Sequence, residues 1–578
     1  MSSTTRLSST LSTLRRRSDN MKLLSLVVCS LAVTSCGRAA DPTHGAVVGD
    51  VTWDKATVWS RSDENSTMQV VIFECGVNYT DSDFVGETEV NSTSDYTGLV
   101  DFSGLTDRTC YRARVTFADE NDIIGSAATA NFTTAPTPEI TQAVKFAWSG
   151  DMSGQNVCRD IDEGFPIMNA LNAVEGMDFF LNVGDAIYGD GFCTETGLGN
   201  NTQVAGDFVR SYNLENYWAH WKYNLADPGY QTLLSSQAFF MTWDDHEVVD
   251  NFGPGYDTRK AEPYTAGVHL LPIGMEAFLN YNPIRATSDP SEQLDFYRKV
   301  SWGKSVDLFV LDCRQYRSLP TASDTTDNPK TMLGATQLEW LKDELANSTA
   351  LWKILVTSVT LSVPTGPDDA RDGWANMNSS TGYEIELREI LRYLSDQDMH
   401  NVVFISADVH FAQVLKYEPF SDVPDFDFYE IMVGPLNAGP FNFDDLDQTF
   451  SPKRLFMHAP EMNSLDGTYS FEELKEYFSF GVADVDIDGN LTFSIINTFD
   501  ELLYNITLAP NITLTHDITP APSIILAPSI TPAPTQHHPG ISITPAPSTT
   551  PAPSIIQAPS ITPAPSIILA PSITPAPT

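Results

Sequence analysis

The feature that most constrains this chain is a set of three apolar runs, each of strand length and each ending in carboxylate, histidine or tyrosine side chains. The runs end in the segments Leu181–Tyr188 (LNVGDAIY), Thr242–Glu247 (TWDDHE) and Phe404–His410 (FISADVH). Parallel strands that are buried on both faces have continuous apolar sequences of this kind. Because the ligand crevice of an open α/β sheet lies at the carboxyl ends of its strands, we expect these polar groups to meet at one edge.

From Val144 onward, the pattern is one of strands alternating with helices, which is typical of an α/β domain. We place this domain at residues 143–505 and predict helices over 164–173, 336–345 and 383–394. Strands are predicted over 145–149, 179–183, 352–357, 401–406, 480–487 and 491–497. Two long insertions rich in Gly, Asn and aromatic residues, at 191–235 and 253–295, have lengths more typical of active-site walls than of simple connections.

The region before this domain has a different character. Short β-rich segments at 56–59, 68–73, 111–117 and 130–132 are separated by polar turns. The last two alternate apolar and polar residues, which suits a sandwich with one solvated face. We therefore predict a small immunoglobulin- or fibronectin-like β-sandwich over residues 44–135.

Both ends of the chain differ from the globular regions. Arg15–Arg17 and Lys22 precede an apolar run that ends near Val33, so residues 1–40 are predicted to be a secretory signal peptide. An alternative is a bacterial lipobox that leaves a lipidated Cys36. Residues 510–578 repeat Pro/Ser/Thr-rich units, which predicts a disordered, extended tail that is either a glycosylated spacer or a contact to the cell wall.

The chain has 75 acidic and 33 basic residues, a formal net charge of -42. Nucleic-acid binding is disfavoured, because contacts to phosphates require Lys and Arg. The apolar run at the N-terminus is too short to span a bilayer, so no transmembrane segment is expected. Anionic substrates would be repelled unless bound cations invert the local field.

The cysteines and glycosylation sequons agree with secretion. Outside the leader, Cys75 with Cys110 and Cys158 with Cys193 are the candidate disulfides within the two folded regions, which would leave Cys313 unpaired. Acceptor sequons begin at Asn65, Asn91, Asn347 and Asn505. We expect a secreted, disulfide-containing glycoprotein.

The strand-end residues have the composition of a two-metal hydrolytic centre, which needs a bridging carboxylate and oxygen or nitrogen ligands on both sides. Asp185 offers the bridge, and Asp151 offers a terminal ligand at the end of the first strand of the α/β region. Tyr188, three residues past Asp185, is suited to a hard ferric ion. The remaining candidate ligands are Asp244, Asp245, Asn251, Asp408 and His410.

These motifs resemble, in order, the signature of the PhoD-type alkaline phosphatases, which belong to the calcineurin-like metallophosphoesterases. The matching segments are Gly184–Tyr188, Trp243–Glu247, Leu311–Arg317 (LDCRQYR), Leu333–Leu341 (LGATQLEWL) and Asp408–His410. The resemblance covers roughly residues 144–497 and implies an αββα sandwich that holds a ferric ion and calcium. It also implies cleavage of phosphate monoesters and diesters.

Carried over residue by residue, the resemblance implies that Asp185 bridges the ions and that Tyr188 and His410 hold the iron. Asp244 or Asp245, together with Asn251 and Asp408, would hold calcium. One departure concerns Asp151, which stands where the family usually has a cysteine. An aspartate makes the site harder, so manganese or zinc becomes admissible in place of iron.

Three further residues are candidates for a catalytic role. His246 is expected to act as the acid or as an orienting group. Arg314 and Arg317 are candidate phosphate clamps, because a guanidinium matches phosphate oxygens bidentately, although contacts at a strand end or surface ion pairs would also explain them.

The leading hypothesis is a secreted, metal-dependent phosphatase or phosphodiesterase that scavenges phosphate from organic esters. An alternative of another class is an extracellular calcium-binding adhesion or wall protein with an inactive hydrolase core. A third is cleavage of phospholipid headgroups, for which the aromatic residues Tyr212, Tyr217, Trp218, Trp221 and Tyr223 would suit the substrate. Core packing explains those aromatic residues equally well.

Overall fold

The computed structural model describes residues 40–82, 84–254, 267–285 and 295–511. The predicted signal peptide and the predicted tail lie almost entirely outside these residues, as does about half of the insertion at 253–295. In the part of the chain that the structure describes, we find no helix of the length and apolarity that crossing a bilayer requires.

The strands fall into two groups along the chain. The first group comprises β1 (Ala46–Gly49), β2 (Lys55–Arg61), β3 (Ser66–Glu74), β4 (Phe84–Val90), β5 (Thr97–Ser103), β6 (Cys110–Ala118) and β7 (Ile124–Thr133). The second comprises β8 (Val144–Ser149), β9 (Phe179–Asn182), β10 (Ala238–Met241), β11 (Arg298–Trp302), β12 (Val306–Val310), β13 (Trp352–Val356), β14 (Val402–Ser406), β15 (Ala412–Tyr417), β16 (Phe428–Met432), β17 (Pro452–His458), β18 (Ser479–Val485), β19 (Leu491–Asn497) and β20 (Leu502–Leu508).

Helices lie between the strands of the second group. They are α1 (Ile167–Asn172), α2 (Leu214–Leu225), α3 (Pro228–Leu234), α4 (Gly267–Tyr281), α5 (Gly334–Asn347), α6 (Glu384–Asp396) and the single turn α7 (Phe471–Leu474). The predicted helices correspond to α1, α5 and α6. Helix α1 begins later than predicted, because Gly164 has a φ of 68°, which lies outside the helical range.

Two large sheets form the centre of the molecule. One has nine strands in the order β20-β19-β18-β8-β9-β10-β1-β2-β5, and the other has seven in the order β11-β12-β13-β14-β16-β15-β17. Neighbours β8, β9 and β10 are parallel, as are β12, β13 and β14. Parallel strands next to one another bring their carboxyl ends to one edge, which is where the sequence concentrates its acidic residues.

Alternation along the strands explains how the sheets stack. On β8, Phe146 and Trp148 join the cluster that also contains Leu308 of β12 and Ile405 of β14, so this cluster is the core between the sheets. Ala147, between them, points the other way into a cluster with residues of α1 to α4. The outer face of the second sheet packs against α5 and α6 in the same manner. The order of layers is helix, sheet, sheet, helix, a mixed α/β fold in agreement with the prediction.

The strands before residue 134 divide between two sheets. Strands β3, β4, β6 and β7 form a separate four-stranded sheet, whereas β1, β2 and β5 extend the nine-stranded sheet. The junction is the parallel pairing of Gly49 with Phe239 on β10. The first region therefore shares a sheet with the α/β region, and its immunoglobulin- or fibronectin-like character stays a prediction.

The two predicted disulfides are present. Cys75 pairs with Cys110 and Cys158 with Cys193, and the remaining cysteine of the described residues, Cys313, is free and buried. Both pairings confirm the sequence-based expectation.

The aromatic residues of the first insertion belong to the core. Tyr217, Trp218, Trp221 and Tyr223 lie on α2 and are buried, whereas Tyr212, just before the helix, is exposed. The segment contains two helices and packs on the nine-stranded sheet, so core packing is the correct explanation for most of these residues.

Candidate metal centre

The candidate ligands are carried by turns that follow the strands directly. Asp151 follows β8, Asp185 follows β9, and Asp408 and His410 follow β14; all four have a positive φ, between 51° and 69°. Non-glycine residues rarely adopt this conformation, and such residues concentrate at functional sites. The turns are joined to one another, since the peptide N–H of Met152 donates to the Asp185 carbonyl at 2.8 Å.

The structure brings these side chains into three overlapping groups whose ligand atoms lie within 4.8 Å of one another. The groups are Asp151, Asp185 and His410; Asp185, Asp245 and His246; and Asp244, Asp245 and Asp408. Asp185 and Asp245 each belong to two groups. A pair of cation sites with shared carboxylates is the arrangement that this overlap favours.

Several buried carboxylate oxygens in these groups lack a hydrogen-bond partner in the described structure. They are both oxygens of Asp151, Oδ1 of Asp245 and Oδ2 of Asp408. Burial raises the pKa of Asp151 and Asp408 well above its ordinary value, and the neighbouring Asp244 raises it further. A buried carboxylate without a partner is costly, so the donor set fits a bound cation that supplies the missing counter-charge.

His410 is oriented as a neutral ligand. Its Nδ1–H donates to the Gly439 carbonyl at 2.8 Å, which leaves Nε2 facing the group, 2.6 Å from the Tyr188 hydroxyl and 3.6 Å from Asp151. Burial lowers the pKa of His410 to about 3. A backbone carbonyl that fixes the tautomer of a histidine is the usual support for a metal ligand.

Tyr188 is held between two neighbours. Gly154 lies against the Tyr188 ring, where a Cβ atom would approach it to 2.5 Å. The ring also packs near His246, with ring centroids 4.1 Å apart. Burial and the surrounding carboxylates raise the pKa of Tyr188 well above its ordinary value.

His246 is paired with an acid that the sequence analysis missed. Its Nδ1 lies 2.7 Å from Oδ1 of Asp190, and the His246 peptide N–H donates to Asp185 at 3.1 Å. Burial alone would lower the pKa of His246, but Asp190, Asp245 and Asp185 raise it well above its ordinary value. The signal for Asp190 was its position two residues past Tyr188, in the same strand-end motif.

Arg314 and Arg317 are buried in an ion network. Arg314 Nε donates to Asp244, and its Nη1 donates to Asp372 at 2.7 Å. Arg317 donates to the Asp372 side chain at 2.8 Å and to the Asn251 carbonyl at 3.0 Å. Neither arginine forms a surface ion pair, and their expected role as phosphate clamps stays a prediction.

The two adjacent aspartates differ in their surroundings. Asp244 accepts hydrogen bonds from Arg314 and from the Ser358 hydroxyl, the latter at 2.6 Å, whereas Oδ1 of Asp245 has no hydrogen-bond partner in the described structure. The other oxygen of Asp245 accepts the peptide N–H of Asn251. Asp245 therefore has the freer oxygen for a cation.

Comparison with known proteins gives a consistent picture. A family model described as PhoD-like phosphatase matches residues 146–485. Alkaline phosphatase D of Bacillus subtilis (strain 168) is 24% identical over 328 residues, which is 54% of this chain and 52% of that protein. The chain thus matches about half the length of that curated relative.

Solved structures share the fold. A structure of PhoD superposes with a TM-score of 0.63 at 18% identity, covering 80% of this chain and 87% of that one. A purple acid phosphatase from seeds of yellow lupin (Lupinus luteus) superposes with a TM-score of 0.54 at 12% identity, covering 81% and 74%. At these identities the likeness establishes the arrangement of sheets and helices.

Proposed function

Because the chain belongs to the PhoD-like phosphatase family, we propose that it is a secreted phosphatase or phosphodiesterase that hydrolyses phosphate esters at a two-metal centre of the iron/calcium type. The observation that carries this proposal is the set of buried, unpartnered carboxylate oxygens shared between the groups around Asp185 and Asp245. Buried carboxylate oxygens without hydrogen bonds require a counter-charge, which bound cations would supply. Bound cations would also let a negatively charged phosphate ester approach this acidic site.

The residues divide between the two cations by position and chemistry. Asp151, Tyr188 and His410 would hold a ferric ion, because a phenol, a carboxylate and an imidazole are ligands that suit it. Asp245, Asn251 and Asp408, with support from Asp244, would hold calcium, and Asp185 would contact both. Because Asp151 takes the place of the family's cysteine, manganese or zinc is also admissible.

Bound cations would supply activated water and neutralise charge on the phosphoryl oxygens. The chain itself supplies a candidate proton donor. Asp190 lies 2.7 Å from Nδ1 of His246 and orients the ring, so His246 would act as the acid towards a leaving oxygen or as an orienting group in the pocket wall. Arg314 and Arg317, held by Asp372, would fix the wall of the site against which the phosphate lies.

Two structural features support secretion and glycosylation. The disulfides Cys75–Cys110 and Cys158–Cys193 require an oxidising compartment to persist. The sequon asparagines Asn65, Asn91, Asn347 and Asn505 are all exposed. A role in phosphate scavenging outside the cell follows from this location together with ester hydrolysis.

The decisive experiment combines elemental analysis of the purified full chain with hydrolysis of a chromogenic phosphate monoester and diester at alkaline pH. The same measurements are made on Asp185→Asn and on the control Asp307→Asn, whose aspartate is buried on β12. We expect two cations per chain, and a loss of activity of about a thousandfold in Asp185→Asn, equivalent to about 4 kcal/mol. Asp307→Asn should keep its activity.

Either of two results would contradict the proposal. The first is full activity in Asp185→Asn. The second is bound calcium without turnover of either ester, which would instead favour an extracellular calcium-binding protein with an inactive hydrolase core.

A further inference from the structure

Glu247 is the last residue of the TWDDHE segment. Its carboxylate accepts hydrogen bonds from the backbone of the candidate metal centre and not from its side chains. Its side chain is buried, at 1% exposure. Oε1 accepts the peptide N–H of Ala186 at 2.7 Å, and Oε2 accepts those of Asp185 at 3.2 Å and Asp244 at 2.8 Å. One carboxylate therefore joins the turn after β9 to the turn after β10.

These two turns are pressed together. Gly184 has a φ of 116°, and a Cβ atom placed on it would lie 2.6 Å from the Asp244 Cβ. The chain leaves its sheet hydrogen bonds at this point, so the peptide N–H groups of Asp185, Ala186 and Asp244 need another acceptor. Buried N–H groups without an acceptor are costly, and Glu247 accepts all three.

The geometry excludes Glu247 from the role of a ligand. Both of its oxygens are directed at peptide N–H groups, and it belongs to none of the three ligand groups found among the described residues. Its contacts are instead with the main chain of Asp185, which would contact both cations, and of Asp244, which directly precedes the candidate ligand Asp245. A carboxylate accepts through both oxygens and donates through neither, which suits it to collect N–H groups from two segments.

We propose that Glu247 is a positioning residue that sets the distance between the Asp185 and Asp244 turns and thereby allows two cations to bind as a pair. This inference rests on the proposed two-metal function. Residues that orient ligands from behind alter metal affinity by about ten- to a hundredfold when they are changed.

The test is Mn²⁺ binding to the metal-depleted full chain, measured by titration and by the electron paramagnetic resonance spectrum of the Mn²⁺ pair. Glu247→Gln keeps the size of the side chain but replaces one acceptor oxygen with an N–H donor. The matched control is Glu386→Gln. Glu386 is also buried and accepts peptide N–H groups, in its case two, those of Met332 and Leu333, at 3.0 and 2.9 Å, in a segment that carries none of the candidate ligands.

We expect the wild-type chain and Glu386→Gln to bind two Mn²⁺ ions that are magnetically coupled. In Glu247→Gln the second ion should bind about ten- to a hundredfold more weakly, and the coupled signal should be lost. Both substitutions should lower the melting temperature of the metal-free protein. If only Glu247→Gln also weakens Mn²⁺ binding, that weakening comes from the position of the turns and not from a general loss of stability.

Unchanged Mn²⁺ affinity and coupling in Glu247→Gln would overturn the inference, as would equal losses in Glu386→Gln. If Glu247→Gln does not fold, Glu247→Asp replaces it, since the shorter carboxylate keeps two acceptor oxygens but cannot reach both turns equally. An affinity in Glu247→Asp equal to that of the wild type would also overturn the inference. A wild-type chain that binds no Mn²⁺ pair would overturn the two-metal function and this inference with it.

Discussion

Two buried aspartates of this molecule, Asp95 and Asp151, differ in how their negative charge is balanced. Asp95, in the first region, accepts from Arg61 at 3.1 Å, from the Tyr281 hydroxyl and from Lys222 at 2.9 Å. At the strand ends, Asp151 is buried more deeply than Asp95 and likewise has a positive φ, yet neither of its oxygens has a hydrogen-bond partner in the described structure. Burial and a positive φ are thus shared by both aspartates, and the lack of a hydrogen-bonded cationic partner is what distinguishes Asp151, a candidate metal ligand.

The largest effect should come from removing metal. A strong chelator should lower ester hydrolysis at least about a thousandfold, equivalent to about 4 kcal/mol, and added cations should restore it. The metal-free protein should also melt at a lower temperature, because ligand at a hundred times its dissociation constant contributes about 2.7 kcal/mol to stability. Rates and calorimetry measure the two effects. Activity that persists in protein shown by elemental analysis to be metal-free would contradict the expectation that the carboxylates at the strand ends hold cations needed for hydrolysis.

The second prediction concerns Asp95, which forms ion pairs with Arg61 and Lys222. Asp95→Asn should lower the free energy of unfolding by about 3 kcal/mol, because it leaves buried positive groups without their partner. Cation binding should be unchanged. Urea unfolding measures the change in the free energy of unfolding, and metal titration measures cation binding. The control is Asp427→Asn, which removes the half-exposed partner of Lys416 and should cost less than about 1 kcal/mol.

The stabilisation from Asp95 has a defined pH dependence. Burial tends to raise the pKa of Asp95, but hydrogen bonds from Arg61, Tyr281 and Lys222 lower it below its ordinary value. The stabilisation is therefore present above the ordinary aspartate pKa and is lost as the pH falls through the lowered one. An Asp95→Asn variant whose stability deficit does not shrink in acid would contradict this account.

A third effect, no larger than the second, should come from Glu430, a buried acid that forms hydrogen bonds but no ion pair among the described residues. It accepts from the Tyr417 hydroxyl at 2.5 Å and from the Leu361 peptide N–H at 2.9 Å, and burial raises its pKa to about 7. Because this pKa exceeds that of the unfolded chain, stability should fall as the pH rises from about 4.5 to 7, by at most about 3 kcal/mol. Glu430→Gln should remove this slope.

Urea unfolding of both proteins across this pH range gives the measurement. Parallel stability curves for the wild type and Glu430→Gln would show that Glu430 is not the source of the slope.

Much of the candidate metal centre could be predicted from sequence, because its residues belong to short local motifs. Asp185, Asp245 and Asp408 each lie just after an apolar run, so a strand and the candidate ligand at its end are visible in a few residues. Helices α1, α5 and α6 and strands β8, β9, β13, β14, β18 and β19 were predictable from local patterns of apolar residues, whereas helices α2, α3 and α4 lie in segments that were interpreted as insertions.

Other features depend on contacts between distant segments. The orienting roles of Asp190, Glu247 and Asp372 were not predicted, although Asp190 lies two residues past Tyr188, because an acid that orients another group has the same sequence appearance as an acid on the surface. The aromatic residues of α2 were ambiguous, since only packing decides which face of a helix is buried. The pairing of Gly49 with Phe239 leaves no local pattern at all.

The placement of β1, β2 and β5 in the nine-stranded sheet has a consequence for synthesis of the chain. These strands are synthesised well before β10, which pairs with β1. In the same way β8 is synthesised long before β18, with which it pairs. Contacts between residues so far apart make folding slow and leave strand edges open in the interim. A chain of this topology is therefore most vulnerable to aggregation during translation, before its C-terminal strands arrive, and assistance by chaperones is of most value there.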